Sequence, residues 1–85
     1  MVVINISNEK ECDVIYDAGL AGCGELIMNV FLAVKKMSVG ETIHVISYDL
    51  GAIEDIPAWC RMQGHTLLEV FEEDLLITNF VIQKN

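Results

Sequence analysis

The sequence predicts an α/β fold, an α+β two-layer sandwich in which two helices pack on one face of a four-stranded mixed sheet. Two observations carry this prediction. Short segments with a period of two alternate along the chain with longer segments in which apolar residues recur every three or four positions, giving the order βαβαββ. Gly40 and Gly64 stand where the two helical segments would end. Because 85 residues leave room for one domain, residues 1–85 are expected to form a single unit.

The first half of the chain predicts one or two strands and a helix. Residues 2–6 alternate in polarity, which favours an extra N-terminal strand before a polar run. The β-branched and aromatic segment Val14-Ile15-Tyr16 predicts the next strand, and the two strands could pair as a hairpin. From Gly22 onward the spacing changes to that of an amphipathic helix, whose apolar face consists of Leu26, Val30, Ala33, Val34 and Met37.

The second half predicts a strand, a helix and a hairpin. Residues 42–48 alternate between the two faces of a strand, and residues 51–63 have the pattern of a helix. Pro57 is compatible with this helix if it falls in the first turn. Strands over residues 66–71 and 75–83 flank an acidic turn, which is typical of a β-hairpin.

The charge of the chain excludes several classes of partner. Five Lys and Arg residues against thirteen Asp and Glu residues give a net charge of −8, which opposes the phosphate contacts that nucleic acids and anionic membranes offer. The longest apolar stretch, residues 26–34, has nine residues and contains Asn29, whereas a membrane span needs about 20. The N-terminus lacks a basic segment followed by an apolar block, so no secretory signal is expected and a cytoplasmic location is predicted.

Three cysteines, Cys12, Cys23 and Cys60, cannot all pair within one chain, so at least one thiol is free. The spacings of Cys23, Cys60 and His65 match no common zinc-ligand pattern, and no metal site is predicted. His65 and His44 are expected to be structural rather than catalytic.

The second predicted helix contains Trp59 and Cys60 side by side. We expect Cys60 to be buried, and a role as a second, resolving thiol is the less favoured alternative. Trp59, Met28 and Met62 are expected to belong to the core.

The segment from Asp17 to Leu26 joins a strand to the first helix and contains the most reactive candidate, Cys23. A cysteine at a helix N-terminus is stabilised as thiolate by backbone N–H groups and by the helix dipole. Gly22 and Gly24 would let a partner approach closely, whereas the negative charge of Glu25 disfavours a second anion. From residue chemistry alone, a small buried cysteine in a glycine-rich turn is an equal alternative.

The segment also resembles the TusA-like family of small sulfur carriers, also called SirA-like, whose signature is an Asp, a Gly-Leu pair and Cys-Pro-x-Pro at the start of a helix. Asp17 lies six residues before Cys23, as in that signature, while Gly19-Leu20 is displaced by one residue. Both signature prolines are missing, and their places are taken by Gly24 and Leu26. Further matches in the same register are Gly40-Glu41-Thr42, Asp55-Ile56-Pro57-Ala58-Trp59-Cys60 and Gly64-His65-x-Leu67.

The resemblance implies a sulfurtransferase-like carrier in which Cys23 accepts a sulfane sulfur as a persulfide and passes it to a cysteine of another protein, without a cofactor. The implied partners are sulfur-donor and sulfur-acceptor proteins of the desulfurase, rhodanese-like or DsrE-like type. In this interpretation Asp17 and Gly22 shape the approach to the thiol, Gly24 exposes it, and Glu25 caps the helix and selects partners.

Two alternatives are retained. The first is a partner-binding or regulatory module that kept the fold but lost sulfur transfer together with the two prolines. The second, weaker one is a redox-sensing thiol, in which Cys23 forms a disulfide with Cys60 or with a second chain.

Overall fold

The computed structural model describes residues 12–73 and 77–85, and it describes Cys23 by its backbone. The predicted N-terminal strand over residues 2–6, with its hairpin, lies outside these residues. The described elements follow the predicted order and are β1 (Val14–Gly19), α1 (Cys23–Lys35), β2 (Thr42–Ser47), α2 (Ala52–Gln63), β3 (Thr66–Glu72) and β4 (Thr78–Gln83).

The four strands form one mixed sheet in the order β1-β2-β4-β3. β1 runs parallel to β2, whereas β4 pairs antiparallel with both β2 and β3. Val45, at the centre of the sheet, stands opposite Tyr16 on one side and Phe80 on the other. Both helices cover the face that carries these side chains, so the predicted two-layer fold is confirmed.

The core follows the periodicities of the sequence. Along β2, Ile43, Val45 and Ser47 are buried and the residues between them are half-buried. The apolar face of α1 packs on this layer, and its buried residues are Leu26, Val30 and Val34. Met37, predicted to extend this face, is buried just after the helix, which ends at Lys35 and not near Gly40 as predicted. Each fully buried aliphatic side chain of this kind stabilises the fold by about 1.5–3 kcal/mol. Among the described residues, no helix is long and apolar enough to span a bilayer.

Pro57 lies inside α2, beyond the first turn in which it was expected. The helix nevertheless continues past it, from Ala52 to Gln63, and ends at Gly64 in the left-handed conformation, with φ of 80°. A proline has no N–H group, so the carbonyl of Ile53 loses its usual helical partner. Ile53 is exposed, and water can replace that partner.

Two single-residue predictions and one strand boundary are also corrected by the structure. Met28 and Met62 are 56% and 79% exposed, because each lies on the face of its helix turned away from the sheet, whereas Trp59 is buried as expected. The last strand begins at Thr78, so Ile77 does not belong to it although the strand was predicted over residues 75–83, and residues 75 and 76 lie outside the described residues. The N–H of Glu73 donates to the carbonyl of Ile77 at 3.0 Å.

Candidate functional site

The loops that follow β1 and β2 lie together at one edge of the sheet. Because the two strands are parallel, their carboxyl ends reach the same edge. The N–H of Tyr48, after β2, donates to the carbonyl of Gly19, at the end of β1, at 3.0 Å. Both helices start from this edge, and the predicted site segment therefore faces the start of α2.

The turn after β1 is organised by Asp17. Its Oδ1 accepts a hydrogen bond from the N–H of Gly19 at 2.9 Å, and the N–H of Ala21 donates to the carbonyl of Ala18 at 3.1 Å. Gly19 has φ of 58°, a conformation that costs residues with a Cβ roughly 1–2 kcal/mol. Asp17 itself is exposed, so its side chain shapes the backbone of the loop and remains open to solvent.

In the described part of the chain, two N–H groups in the first turn of helix α1 have no acceptor. Its N-cap, Gly22, is extended, with φ of −75° and ψ of 172°. No side-chain hydrogen bond caps it, so the capping expected of Glu25 is not observed. The carbonyl of Gly22 accepts the N–H of Leu26 at 2.8 Å, while the N–H groups of Gly24 and Glu25 find no backbone acceptor within 12–73 or 77–85. Cys23 is the first residue of the helix, at the positive end of its dipole.

The two positions where the family signature has prolines differ physically. Gly24 is exposed, and a Cβ added there would meet no atom within 4 Å. Leu26 is completely buried in the core, and its N–H makes the bond to Gly22. The side chain at position 26 thus belongs to the packing of the fold, whereas position 24 is open.

Exposed apolar side chains lie in and beside the two loops at this edge, a feature that the sequence did not predict. Leu20 is 86% exposed, and Tyr48, Leu50 and Ile53 are exposed in or just after the β2–α2 loop. Their signal in the sequence is their position directly after the carboxyl ends of two neighbouring strands. Acidic residues belong to the same loops and to the first turn of α1, namely Asp17, Asp49 and Glu25. This edge is therefore an apolar surface with an acidic border.

Cys60 belongs to the core and not to this edge. Its side chain is 2% exposed on α2. Burial raises the pKa of the Cys60 thiol to about 11, although the positive charge of Arg61 acts in the opposite direction. The thiol is therefore protonated near neutral pH, a state in which it is a poor nucleophile.

His44 links two strands on the sheet face opposite the helices. Asn79 Nδ2 donates to Glu73 Oε1 at 3.0 Å, which leaves Asn79 Oδ1 to accept from His44 Nε2 at 2.7 Å. The Nε2 atom of His44 therefore carries a proton. This hydrogen-bond chain ties β2 to β4 and to the turn before it, in agreement with the expected structural role.

Comparisons with known proteins agree with this architecture. The family model described as "Sulfurtransferase TusA" matches residues 16–84, a span that contains the loop after β1, Cys23 and all elements from α1 to β4. The chain is 36% identical over 61 residues to a protein of Archaeoglobus fulgidus named "Putative sulfur carrier protein", and the aligned span covers 72% of this chain and 84% of the relative. These matches support a sulfur-carrier role, and the chain belongs to the TusA sulfurtransferase family.

Proposed function

We propose that this protein carries sulfane sulfur as a persulfide on Cys23 and delivers it to a cysteine of a partner protein. One observation carries the proposal above the others: in a chain of the TusA family, Cys23 is the first residue of a helix in which the N–H groups of Gly24 and Glu25 find no acceptor among the described residues. Such a terminus stabilises an anion, and both the thiolate and the persulfide of a carrier are anions.

The transfer needs no external oxidant. The Cys23 thiolate attacks the outer sulfur of a donor persulfide, a new S–S bond forms, the donor's S–S bond breaks, and the donor sulfur leaves as thiolate. In the second step an acceptor thiolate attacks the outer sulfur on Cys23. A new S–S bond forms on the acceptor, the S–S bond on Cys23 breaks, and Cys23 leaves as thiolate, ready for another cycle. Each step exchanges one S–S bond for another.

The neighbouring residues have distinct parts in this proposal. Asp17 fixes the loop through its bond to Gly19, so that the approach to the helix start is preorganised. The extended backbone at Gly22 leaves the first N–H groups open, and Gly24 has free space where a side chain would stand. Glu25 adds a negative charge that weakens anion binding at this end, which a basic partner residue would relieve once the two proteins dock.

The surface at this edge indicates the kind of partner. An apolar patch of Leu20, Tyr48 and Leu50 with an acidic border matches a donor or acceptor protein that surrounds its own thiol with apolar and basic residues. Desulfurases, rhodanese-like proteins and DsrE-like proteins are the sulfur-handling classes in which we expect such partners.

A loading experiment tests the proposal. The reduced protein is incubated with polysulfide, and its intact mass is measured before and after a reductant, together with the Cys23→Ser and Cys60→Ser variants. We expect one reducible sulfur on the wild type and on Cys60→Ser, and none on Cys23→Ser. Equal loading of wild type and Cys23→Ser would contradict the proposal.

The second candidate, a module that binds partners without transferring sulfur, is favoured by the absence of both prolines. It predicts that the wild type takes up no sulfur while a Cys-Pro-x-Pro carrier loads normally beside it. The Gly24→Pro variant sharpens the choice, because a proline at 24 disfavours the helical conformation at Cys23 and would make that residue the N-cap. Loading that appears in Gly24→Pro but not in the wild type would favour the second candidate.

A further inference from the structure

A cleft of about 180 Å³ opens where the C-terminal parts of the two helices meet the end of β4. Its lining includes Phe31, Val34, Lys35, Trp59, His65 and Lys84. Phe31 follows Cys23 by eight residues, which at 1.5 Å per residue is about 12 Å along the helix axis. The cleft is therefore separate from the proposed sulfur site.

The cleft is basic, although the protein as a whole is acidic. Two of the five Lys and Arg residues of the chain, Lys35 and Lys84, line it, and none of its lining residues is Asp or Glu. Lys84 Nζ donates to the carbonyls of Met37 at 2.6 Å and Lys35 at 3.4 Å, which holds its ammonium at the end of α1 and leaves one N–H for another acceptor. In a chain with a net charge of −8, this concentration of cations favours an anion.

His65 adds a neutral hydrogen-bond donor. The N–H of Asn85 donates to His65 Nδ1 at 3.2 Å, so this nitrogen carries no proton and Nε2 does. Partial burial, together with the nearby charge of Lys84, lowers the pKa of His65 below its ordinary value of 6.5. At neutral pH the ring thus presents one N–H, at Nε2, without adding a second positive charge.

Aromatic rings supply the apolar part of the cleft. The ring of Trp59 is buried and lies 5.5 Å from that of His65, centroid to centroid. Phe31 is 38% exposed, and Lys35 Nζ stands 6.0 Å from its ring centroid. One exposed aromatic ring, Phe31, and the small part of Trp59 that reaches the cleft stand beside two ammonium groups, an arrangement that suits a flat apolar body with one negative charge.

We propose that this cleft binds a small organic carboxylate with a planar apolar body, of the size of phenylacetate. The carboxylate lies near Lys35 and Lys84, and the ring packs against Phe31 and the small accessible part of Trp59. The volume is below the 300–1,000 Å³ of sites for drug-sized ligands, which limits the ligand to a compact molecule. Binding at this position is independent of sulfur transfer at Cys23.

The experiment uses the fluorescence of Trp59, since the chain contains one tryptophan. The protein is titrated with phenylacetate, with the uncharged phenylacetamide and with acetate, and calorimetry repeats each titration. We expect a saturable change with phenylacetate and at least fivefold weaker binding of the other two. The Lys35→Gln variant should bind phenylacetate about two- to fivefold more weakly, as loss of one exposed ion pair implies.

Lys36→Gln is the matched control, because it removes the same charge from the neighbouring residue, which is exposed and does not line the cleft. We expect wild-type affinity from it. The proposal is overturned if phenylacetate gives no saturable signal with the folded protein. It is also overturned if acetate or phenylacetamide binds as well as phenylacetate, or if the two lysine variants behave alike.

Discussion

The two helices start at the same edge of the sheet, yet their first turns use the backbone N–H groups differently. At α2 the cap residue Gly51 is already helical, with φ of −66° and ψ of −21°. The N–H groups of Ala52 and Ile53 donate to the carbonyls of Asp49 and Leu50 at 3.1 and 3.3 Å. The start of α2 is thus a tight turn whose donors are satisfied by the chain itself.

At α1 the cap residue Gly22 is extended, and the N–H groups of Gly24 and Glu25 find no such acceptor in the described part of the chain. The conformation of one cap residue therefore decides whether a helix start has donors to offer an anion. Cys23 stands at the start that has them, and this difference is what the following predictions test.

The largest expected effect concerns the two places of the missing prolines. Leu26→Pro removes the bond to Gly22 and a fully buried side chain, and we expect it to lower the free energy of unfolding by about 3 kcal/mol or more. Gly24→Pro moves the cap to Cys23 and gives up the same bond, but it removes no buried side chain and should lower it by only about 1 kcal/mol. Chemical denaturation of both variants measures this difference. Similar losses in the two would show that the start of α1 is as tightly constrained as the core.

The next effect is a loss of stability in alkaline solution that originates in α2. The pKa of Cys60 is raised in the folded protein to about 11, from an ordinary value of 9.0. Between these values the folded state holds the proton that the unfolded state has lost, so the free energy of unfolding falls as pH rises from about 9 to about 11. Cys60→Ala should flatten this decline. Denaturation curves across that range check it, and an unchanged slope in the variant would assign the decline to other groups.

A smaller effect is expected from Asp17, which supports the loop before α1. Asp17→Ala removes the acceptor for the N–H of Gly19 and should cost about 1 kcal/mol of stability. Asp17→Asn keeps an oxygen that can accept the N–H of Gly19 and should retain most of this stability. Thermal denaturation of both variants measures the two losses. If Asp17→Ala and Asp17→Asn lower the stability equally, the charge of Asp17 stabilises the loop and its hydrogen bond does not.

The smallest expected effect compares one charge at the two helix starts. Glu25→Gln should increase the rate of Cys23 alkylation near neutral pH by a few-fold, because it removes a negative charge two residues from the thiol. Glu54→Gln makes the same change in the first turn of α2 and should leave the rate unaltered. Rates are measured by mass spectrometry on Cys23 itself. Equal acceleration in both variants would mean that the net charge of the protein, rather than the local one, controls the thiol.

Much of the fold was predictable because its signals are local. The stripe of Leu26, Val30 and Val34 and the alternation around Ile43 and Val45 each specify one element and its buried face. The helix start at Cys23 is also a local signal, because Gly22 and Gly24 flank it in the sequence. Met28 and Met62 were expected in the core because their side chains are apolar. They are exposed because their angular positions on the helices turn them away from the sheet.

Features that join distant segments were not predictable in this way. The exposed surface of Leu20 and Tyr48 exists because β1 and β2 are neighbours in parallel, which places two loops side by side. The basic cleft unites Phe31, Trp59 and Lys84, which have no common pattern in the sequence. Pro57 shows a third limit, because tolerance of a proline inside a helix depends on whether solvent can reach the carbonyl that it leaves unpaired.

The strand order has a consequence for synthesis on the ribosome. β4 follows every other described strand in the chain, yet it occupies an inner place between β2 and β3. A nascent chain that ends before residue 78 lacks Phe80 and Ile82, the pairing partners of Val45 and Ile43. Such a chain can pair β1 with β2, but the other edge of β2 stays unpaired, so the sheet is completed only after β4 has been synthesised.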